Sequence, residues 1–308
     1  MAAASVIVCT RNRAESCRAT LAALLAAPAE DAELIVVDQS DGDDTLAALR
    51  TLPGFDDHVL YLRSRRRGLS AARNEGAHAA HGELLLYTDD DCIPEPGWVA
   101  AWRQSLTGGE KAGIGFGQVS CPPFDPTKGY VAGFNVREGD HGLELFSLGA
   151  GHVGMGANMA LPKSIWSTVG GFDEGLGAGT RFAAGEDADM AYRVAKLGHS
   201  IRHRGAARVW HHGYRQGAVA SHLMRGYVGG IAAMYAKHAR CGDAKAAGLL
   251  LTELRHHAVD VTRRLITRRR PLGLMGMLYF IGGVGSAWSS PLNAERRLYD
   301  TKDAAHAA

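Results

Sequence analysis

Three consecutive aspartates, Asp89, Asp90 and Asp91, are the residues of this chain best suited to chemistry. They follow an apolar run at residues 84–88, which is typical of a buried strand. Carboxylates at the carboxyl end of a strand lie where open α/β sheets bind ligands. Because neighbouring carboxylates repel one another unless a cation is close, the triplet predicts a divalent metal site for a phosphate-bearing substrate. The competing interpretation is a solvated acidic turn, and the rest of the chain decides between the two.

Strand and helix signals alternate over the first 88 residues and position this triplet. Strands are predicted at residues 5–9, 33–37, 59–62 and 83–88, and helices at residues 13–27, 43–52 and 68–80. This alternating order predicts an α/β fold with a mainly parallel sheet and helices on both faces. Since parallel strands end on the same side of a sheet, Thr10, Asp38 and the triplet are expected along one edge.

The second half begins with a glycine-rich stretch at residues 108–156, where mixed strands and long loops are expected. A strand is predicted at residues 157–161, and helices at residues 163–169 and 186–197. Asp187 lies in the first turn of the last helix, where the macrodipole favours a carboxylate. It shares a face with Met190 and Ala191, so we expect it to point inward. Asp189 is expected to pair with Arg193 on another face.

Composition excludes several classes of protein. The 308 residues are 46% hydrophobic, which is enough for a core, and the formal net charge of +2 argues against a general nucleic-acid binder. The five cysteines form no CxxC pair, which favours reduced thiols in a cytosolic compartment. The first residues lack the basic segment of a signal peptide. A cytoplasmic location is therefore expected, with the inner face of the cytoplasmic membrane left open.

The nucleotide-binding signatures that depend on glycine are missing. A dinucleotide fold would carry GxGxxG directly after the first strand, but that place holds Thr10, Arg11, Asn12 and Arg13, and no P-loop is present. Phosphate must then be held by a metal and by basic side chains. Arg73 is suitably placed, because the guanidinium fork suits a diphosphate.

Six segments, taken in order, resemble the family 2 glycosyltransferases of GT-A fold. They are residues 6–13 (VIVCTRNR), 35–40 (IVVDQS), 68–76 (GLSAARNEG), 88–94 (TDDDCIP), 170–174 (GGFDE) and 185–190 (GEDADM). The resemblance covers roughly residues 4 to 215. It implies a GT-A catalytic domain at residues 1–215, with a nucleotide-binding half at 1–107 and an acceptor-binding half at 108–215. A helical C-terminal region would follow at residues 216–308.

The resemblance also implies roles for individual residues. The donor nucleotide would be bound by Thr10, Asn12, Asp38, Arg73, Asp89 and Asp90. The acceptor would be bound by Glu186 and Asn158, and Asp187 would be the catalytic base. A divalent metal, Mn²⁺ or Mg²⁺, would be bound by Asp89, by Asp91 and by a histidine, either His211 or His212. Adjacent residues of a strand point to opposite faces, so only one of these two histidines is expected to reach it.

The activity that the resemblance implies is inverting, metal-dependent transfer of one sugar from a nucleotide-diphosphate sugar to a saccharide or lipid-linked acceptor, as in the synthesis of cell-envelope polysaccharide. UDP is the favoured carrier, with dTDP and GDP left open. The Gln-x-x-Arg-Trp element of processive members is missing, which favours single-sugar addition. A sugar nucleotidyltransferase or a non-catalytic carbohydrate-binding protein remains an alternative. The former should carry a glycine-rich basic loop after the first strand, and the latter needs no base.

The last hundred residues carry a different pattern. Helices are predicted at residues 221–239 and 246–266. Arginines at 263, 264 and 268–270 form a basic cluster at the end of the second helix and just beyond it, and residues 271–293 carry no charge. Residues 272–288 are apolar but short for a membrane span, which needs about 20 residues. Peripheral membrane contact through residues 263–289 is one interpretation. A helix pair packed on the catalytic domain, or a homodimer interface, is the other.

Overall fold

A nine-stranded mixed sheet forms the centre of the structure. The computed structural model describes residues 3–27, 31–106, 112–266 and 272–301. Its strands, including four that lie outside the main sheet, are β1 (Ala4–Thr10), β2 (Ala32–Asp38), β3 (Val59–Arg63), β4 (Leu84–Asp89), β5 (Cys92–Pro94), β6 (Ala112–Ser120), β7 (Gly129–Tyr130), β8 (Gly139–His141), β9 (Asn158–Pro162), β10 (Ser200–His211), β11 (Arg215–Gln216), β12 (Leu292–Asn293) and β13 (Leu298–Tyr299).

Helices cover the sheet and continue beyond it. They are α1 (Ala14–Ala26), α2 (Asp44–Leu49), α3 (Phe55–His58), α4 (Leu69–Ala79), α5 (Trp98–Leu106), α6 (Lys163–Val169), α7 (Glu186–Lys196), α8 (Gly217–Arg240), α9 (Ala244–Ile266) and α10 (Leu272–Trp288). Two short 3-10 helices lie at Leu143–Leu148 and Ala150–His152. The helix predicted at 43–52 ends earlier, at Leu49, and α3 forms separately. Gly54 lies between them with a φ of 77°, in the left-handed region that a helix cannot use.

The strand order is β3-β2-β1-β4-β9-β6-β10-β5, and β8 also pairs with β10. Strands β3, β2, β1 and β4 are parallel to one another, whereas β9 is antiparallel to both of its neighbours. The predicted α/β fold with a mainly parallel sheet is thus confirmed, and so is the mixed character of the second half. In the register, Thr10 lies opposite Asp38, and Cys9 lies opposite Asp89. The ends of β1, β2 and β4 therefore form one edge.

The centre of the sheet is buried on both faces. Strands β1, β2 and β4 read as continuous apolar runs because helices cover both sides of them, and Ile7, Ile35 and Leu85 are all at most 1% exposed. Trp102 of α5 packs directly on Gly115 of β6, where an added Cβ would lie 2.5 Å from the indole ring. This core gives the sheet edge a rigid base.

The C-terminal helices are joined to the rest of the structure by buried ion pairs. Lys237 of α8 places its Nζ 2.6 Å from a carboxylate oxygen of Asp173 and 2.6 Å from one of Asp189, and all three side chains are fully buried. His238 contacts Asp189 at 2.7 Å. The predicted pair of Asp189 with Arg193 is present at 2.8 Å, but it belongs to this larger buried network.

The C-terminal stretch is helical where it is described. No helix among the described residues combines the length and the apolar character needed to cross a membrane. Arg268, Arg269 and Arg270, which were assigned to a basic cluster, lie outside the described residues. Helix α10 packs mainly on α8 and α9.

Candidate active site

A cavity of about 540 Å³ opens where β1 and β4 end. The sequence-predicted residues that line it are Thr10, Arg73, Asp89, Asp90, Asp91, Glu186, Asp187 and His211. The start of α7 and residues of α8 also line the cavity. Asp91 and Asp187, which the sequence assigned to metal and base, therefore share one cavity.

Asp91 is surrounded by three basic side chains. Its Oδ2 accepts hydrogen bonds from Arg13 and from Arg215, the latter at 3.2 Å, and its Oδ1 lies 3.2 Å from His211 Nε2. Burial alone would raise the pKa of Asp91, but the hydrogen bond and charge of His211, together with the charge of Arg13, hold it well below its usual range. Asp91 is therefore a charged acceptor at neutral pH.

The two histidines at the end of β10 point in different directions. His211 is buried beside Asp91, and its Nδ1 donates to the backbone carbonyl of Ala132 at 2.7 Å. This hydrogen bond leaves Nε2 of a neutral ring free to bind a metal. The side chain of His212 is exposed, and only its backbone N–H reaches Asp91, at 2.8 Å from the carbonyl oxygen. Of the two alternatives, the structure brings His211 to the triplet.

The residues around Asp91 fit a divalent cation. Two ligand atoms that each lie about 2.1 Å from one ion, at right angles to each other, are about 3 Å apart. The distance of 3.2 Å between Asp91 Oδ1 and His211 Nε2 is close to this value. The Cys92 sulfur belongs to the same cluster, whose ligand atoms lie within 4.8 Å of one another. Burial raises the pKa of the Cys92 thiol well above its usual value, and a soft neutral thiol suits Mn²⁺ or Mg²⁺ less than oxygen does.

Asp90 points toward β1 and α1. Its carboxylate accepts hydrogen bonds from Thr10 Oγ1 and from Arg13 Nη1, both at 2.7 Å. Burial raises its pKa to about 7. Asp90 therefore anchors the triplet to the first strand and helix, and Arg13 links it to Asp91.

Arg73 lies between two acidic side chains of the cavity. It is 2% exposed, and it donates to Glu186 at 3.0 Å and to Asp89 at 3.2 Å. Burial raises the pKa values of both carboxyl groups, and the charge of Arg73 opposes the rise. Arg73 thus neutralises both sides of the cavity, which the sequence did not predict, and its predicted contact with a diphosphate remains a prediction.

Asp187 is held at the amino-terminal end of α7. Gly185 adopts a φ of 94° immediately before the helix, a conformation that glycine adopts without strain. One carboxylate oxygen of Asp187 accepts the backbone N–H of Gly156 at 2.8 Å, and the other accepts that of Ala188 at 2.7 Å. The side chain is half-buried and borders the cavity, as the helical pattern predicted.

Four predicted site residues do not line the cavity: His212, described above, and Asn158, Asp38 and Asn12. Asn158 is fully buried, and its amide group accepts from two tryptophan indoles at 2.9 and 3.2 Å and donates to two backbone carbonyls at 2.9 and 2.7 Å. Its prediction as an acceptor-binding residue is corrected, because every hydrogen-bonding position of the amide is used inside the fold. Asp38 is buried against the Tyr61 hydroxyl at 2.6 Å, and exposed Asn12 is bonded to Asp41 at 2.6 Å.

Several cavity residues were missed by the sequence. Arg13 and Arg215 contact Asp91, and an apolar wall comes from α8 through Leu223, Tyr227 and Ile231. The arginines are separated from Asp91 by long stretches of chain. The α8 residues belong to the predicted helical C-terminal region, which was placed outside the catalytic domain. Only the tertiary fold brings them together, and no local pattern indicates the contact.

Comparison with known proteins finds similarity to one family of enzymes. Residues 5–148 match the model of glycosyl transferase family 2. The chain is 29% identical over 107 residues to glycosyltransferase AglE of Haloferax volcanii, a match that covers 34% of this chain and 35% of that protein. It is 32% identical over 89 residues to GalNAc(5)-diNAcBac-PP-undecaprenol beta-1,3-glucosyltransferase of Campylobacter jejuni, covering 28% and 29%. The chain thus spans about a third of the length of these curated relatives.

A solved structure extends the likeness over almost the whole chain. It is that of mannosyltransferase PcManGT from Pyrobaculum calidifontis in complex with GDP-Man and Mn²⁺, with a TM-score of 0.61 and 19% identity. The match covers 95% of this chain and 77% of that one. At this identity the likeness establishes the shared GT-A fold.

Proposed function

We propose that this chain, whose residues 5–148 match the model of glycosyl transferase family 2, moves one sugar from a nucleotide-diphosphate sugar to an acceptor hydroxyl, with inversion and with Asp187 as the general base. The observation that carries the proposal is the single cavity bordered by Asp91 and by Asp187. A donor diphosphate at the triplet and an acceptor hydroxyl at α7 would meet in that space. The two acidic groups come from different parts of the chain, Asp91 from the segment after β4 and Asp187 from the start of α7.

On the donor side, Asp91 and His211 would hold Mn²⁺ or Mg²⁺, with Asp89 beside them. The bound cation would offset negative charge on the diphosphate as it leaves. Thr10, Arg73 and Asp90 line the cavity beside the triplet, whereas Asn12 and Asp38 do not border it, and their part in nucleotide binding remains a prediction. UDP and GDP are the carriers to test first, with dTDP next. The structural neighbour with GDP-Man and Mn²⁺ supports a metal-bound nucleotide sugar.

On the acceptor side, the Asp187 carboxylate would accept the proton of the attacking hydroxyl. The hydroxyl oxygen forms a bond to the anomeric carbon as the bond from that carbon to the diphosphate oxygen breaks, so the configuration inverts in one step. The hydrogen bond from the Gly156 N–H fixes the carboxylate in place, which supports its use as an oriented base. Glu186, held by Arg73 at 3.0 Å, would line the approach of the acceptor.

The acceptor class is suggested by the apolar wall of the cavity. Leu223, Tyr227 and Ile231 of α8 border it, and aromatic and aliphatic side chains suit the apolar face of a sugar or a lipid-linked saccharide. The name of the C. jejuni relative includes a PP-undecaprenol-linked glycan, which supports a lipid-linked acceptor. A free saccharide is the second class to test.

The experiment is a turnover assay over a panel of UDP, GDP and dTDP sugars with Mn²⁺, measuring release of the nucleoside diphosphate. The Asp187→Asn variant should bind the donor normally but lose turnover by about 10²- to 10⁴-fold, the usual contribution of a general base. Asp44→Asn, at an exposed position of α2, is the matched control and should behave as wild type. Near-normal turnover by Asp187→Asn would remove the base assignment.

The same assay separates the alternative functions. A sugar nucleotidyltransferase would consume a nucleoside triphosphate and a sugar phosphate and release pyrophosphate, which is measured with those two substrates in place of the nucleotide sugars. A non-catalytic carbohydrate-binding protein would bind sugars without any turnover. The cavity's pairing of a cation-binding cluster with an oriented carboxylate favours transfer over both.

A further inference from the structure

Helix α10 exposes a row of large apolar side chains. Leu274, Met275, Leu278, Ile281 and Trp288 are between 38% and 59% exposed. Positions 274, 278, 281 and 288 recur at three, four and seven residues, so they lie on one face of the helix. Contiguous exposed apolar surface of this kind is characteristic of an interaction site.

The opposite face of α10 is packed inside the protein. Phe280 and Ala287 are at most 2% exposed, and an added Cβ at Gly283 would lie 2.4 Å from the carbonyl oxygen of Gly229 in α8. The helix is therefore fixed on α8, and its apolar row faces outward as a consequence of that packing. Internal packing covers only one side of the helix, so it does not explain the exposed row.

A basic stretch precedes this helix in the sequence. Residues 255–293 contain six arginines and one aspartate, and none of the charges falls between 271 and 293. Arg255 and Arg263 of α9 are exposed at their described positions, and α9 packs on α10. An uncharged apolar face beside a basic stretch matches the layered structure of an anionic bilayer surface, with acyl chains below and negatively charged head groups above.

A second copy of this chain fits the face less well. A two-fold interface brings the same surface of both copies together, so each copy would contribute the basic stretch that precedes α10 in the sequence. Like charges placed opposite one another disfavour such a contact. The charge pattern therefore favours a partner of opposite charge over self-association.

We propose that α10 is an interfacial helix that binds the protein peripherally to an anionic lipid bilayer, with Leu278, Ile281 and Trp288 entering the head-group boundary. Helix α8 connects this surface to the cavity, because it packs on α10 through Gly229 and borders the cavity through Tyr227 and Ile231. One helix thickness, about 10 Å, then separates the membrane surface from the apolar wall. The proposal stands independently of the proposed reaction, and it adds that the acceptor is presented at a membrane.

The test is flotation of the full chain with vesicles of phosphatidylcholine alone or with about one third phosphatidylglycerol as the anionic lipid. Wild type should float with the anionic vesicles and release at about 1 M NaCl, where the Debye length falls to about 3 Å. The double variant Leu278→Ser/Ile281→Ser should lose at least about tenfold in partitioning, because both side chains are half exposed and would enter lipid. The matched control Leu60→Ser/Leu197→Ser removes two exposed leucines on other elements and should partition as wild type.

Two further measurements keep the outcome decisive. Trp288 fluorescence should shift to the blue on anionic vesicles, and Trp288→Phe should abolish that shift. Donor turnover by Leu278→Ser/Ile281→Ser with a water-soluble donor should equal that of wild type, which separates membrane binding from catalysis. Equal flotation of the test and control variants would overturn the proposal. A dimer in light scattering that dissociates in Leu278→Ser/Ile281→Ser would overturn it as well, by assigning the face to a second copy.

Discussion

Lys237→Met is the sharpest test of how the C-terminal helices are joined to α7, the helix that carries Asp187. Lys237 is fully buried, and its ammonium contacts Asp173 and Asp189 at 2.6 Å each. Asp189 also receives Arg193, and Asp173 accepts the backbone N–H of Tyr299 at 3.0 Å. Methionine has a similar length but no charge, so the variant keeps the packing and removes one of the two cations that balance two carboxylates.

The size of the effect follows from burial. Removing one partner of a buried ion pair leaves an uncompensated charge and costs about 3–5 kcal/mol. At roughly 2 °C per kcal/mol for a chain of this size, the Tm should fall by about 6–10 °C. A second substitution, Asp173→Asn in the Lys237→Met background, should recover part of the loss, because it removes the charge that was left unpaired.

Thermal unfolding followed by circular dichroism measures the change. The matched control is Lys128→Met, which removes an exposed lysine that lies 3.4 Å from Asp125. An exposed pair contributes at most about 1 kcal/mol, so the control should shift the Tm by less than about 2 °C. Equal Tm values for wild type and Lys237→Met would refute the reasoning, because the ion pairs of Lys237 would then contribute nothing to the stability of the fold.

Three further predictions concern the fold around the cavity. Asn158→Ala should lower the free energy of unfolding in urea by about 2–4 kcal/mol, since four buried hydrogen bonds are lost, while the KM for donor and acceptor stays unchanged. Gly115→Ala should lower the free energy of unfolding by about 1–3 kcal/mol, because the added methyl group overpacks against Trp102. Gly248→Ala on α9, where an added Cβ has no neighbouring atom within 4 Å, should raise it by about 0.5–1 kcal/mol. Burial lowers the pKa of His238, so the unfolded state binds a proton that the folded state excludes. Stability should therefore fall as the pH drops below about 6.5, and less steeply in His238→Gln, measured by melts from pH 7 to 5; identical slopes would contradict this.

The first half of the fold follows closely from the sequence. Strands β1 to β4 were predicted to within one residue at either end, and so were α1 and α4. Strands β1, β2 and β4 are buried on both faces, so their apolar runs are continuous and easily recognised. The carboxyl ends of parallel strands share one edge, which is why the aspartate triplet and Thr10 could be expected together.

The rest depends on tertiary contacts that no local pattern carries. Strand β6 contains Gly113, Gly115 and Gly117, and it resembles a loop until Trp102 is seen to fill the space above Gly115. The resemblance assigned Asn158 to the acceptor, but the indoles of α5 donate to its carbonyl oxygen. The choice between His211 and His212 required the side-chain directions at the end of β10.

The central claim is that a divalent cation at Asp91 and His211 holds a nucleoside diphosphate in the cavity that Asp187 also borders. Titration calorimetry with UDP and GDP, in Mn²⁺ and in EDTA, tests it most directly. The account predicts Mn²⁺-dependent binding by wild type and by Asp187→Asn, and a loss of more than about tenfold in Asp91→Ala and His211→Ala. Binding that is unchanged in EDTA, or equally tight in Asp91→Ala, would contradict it.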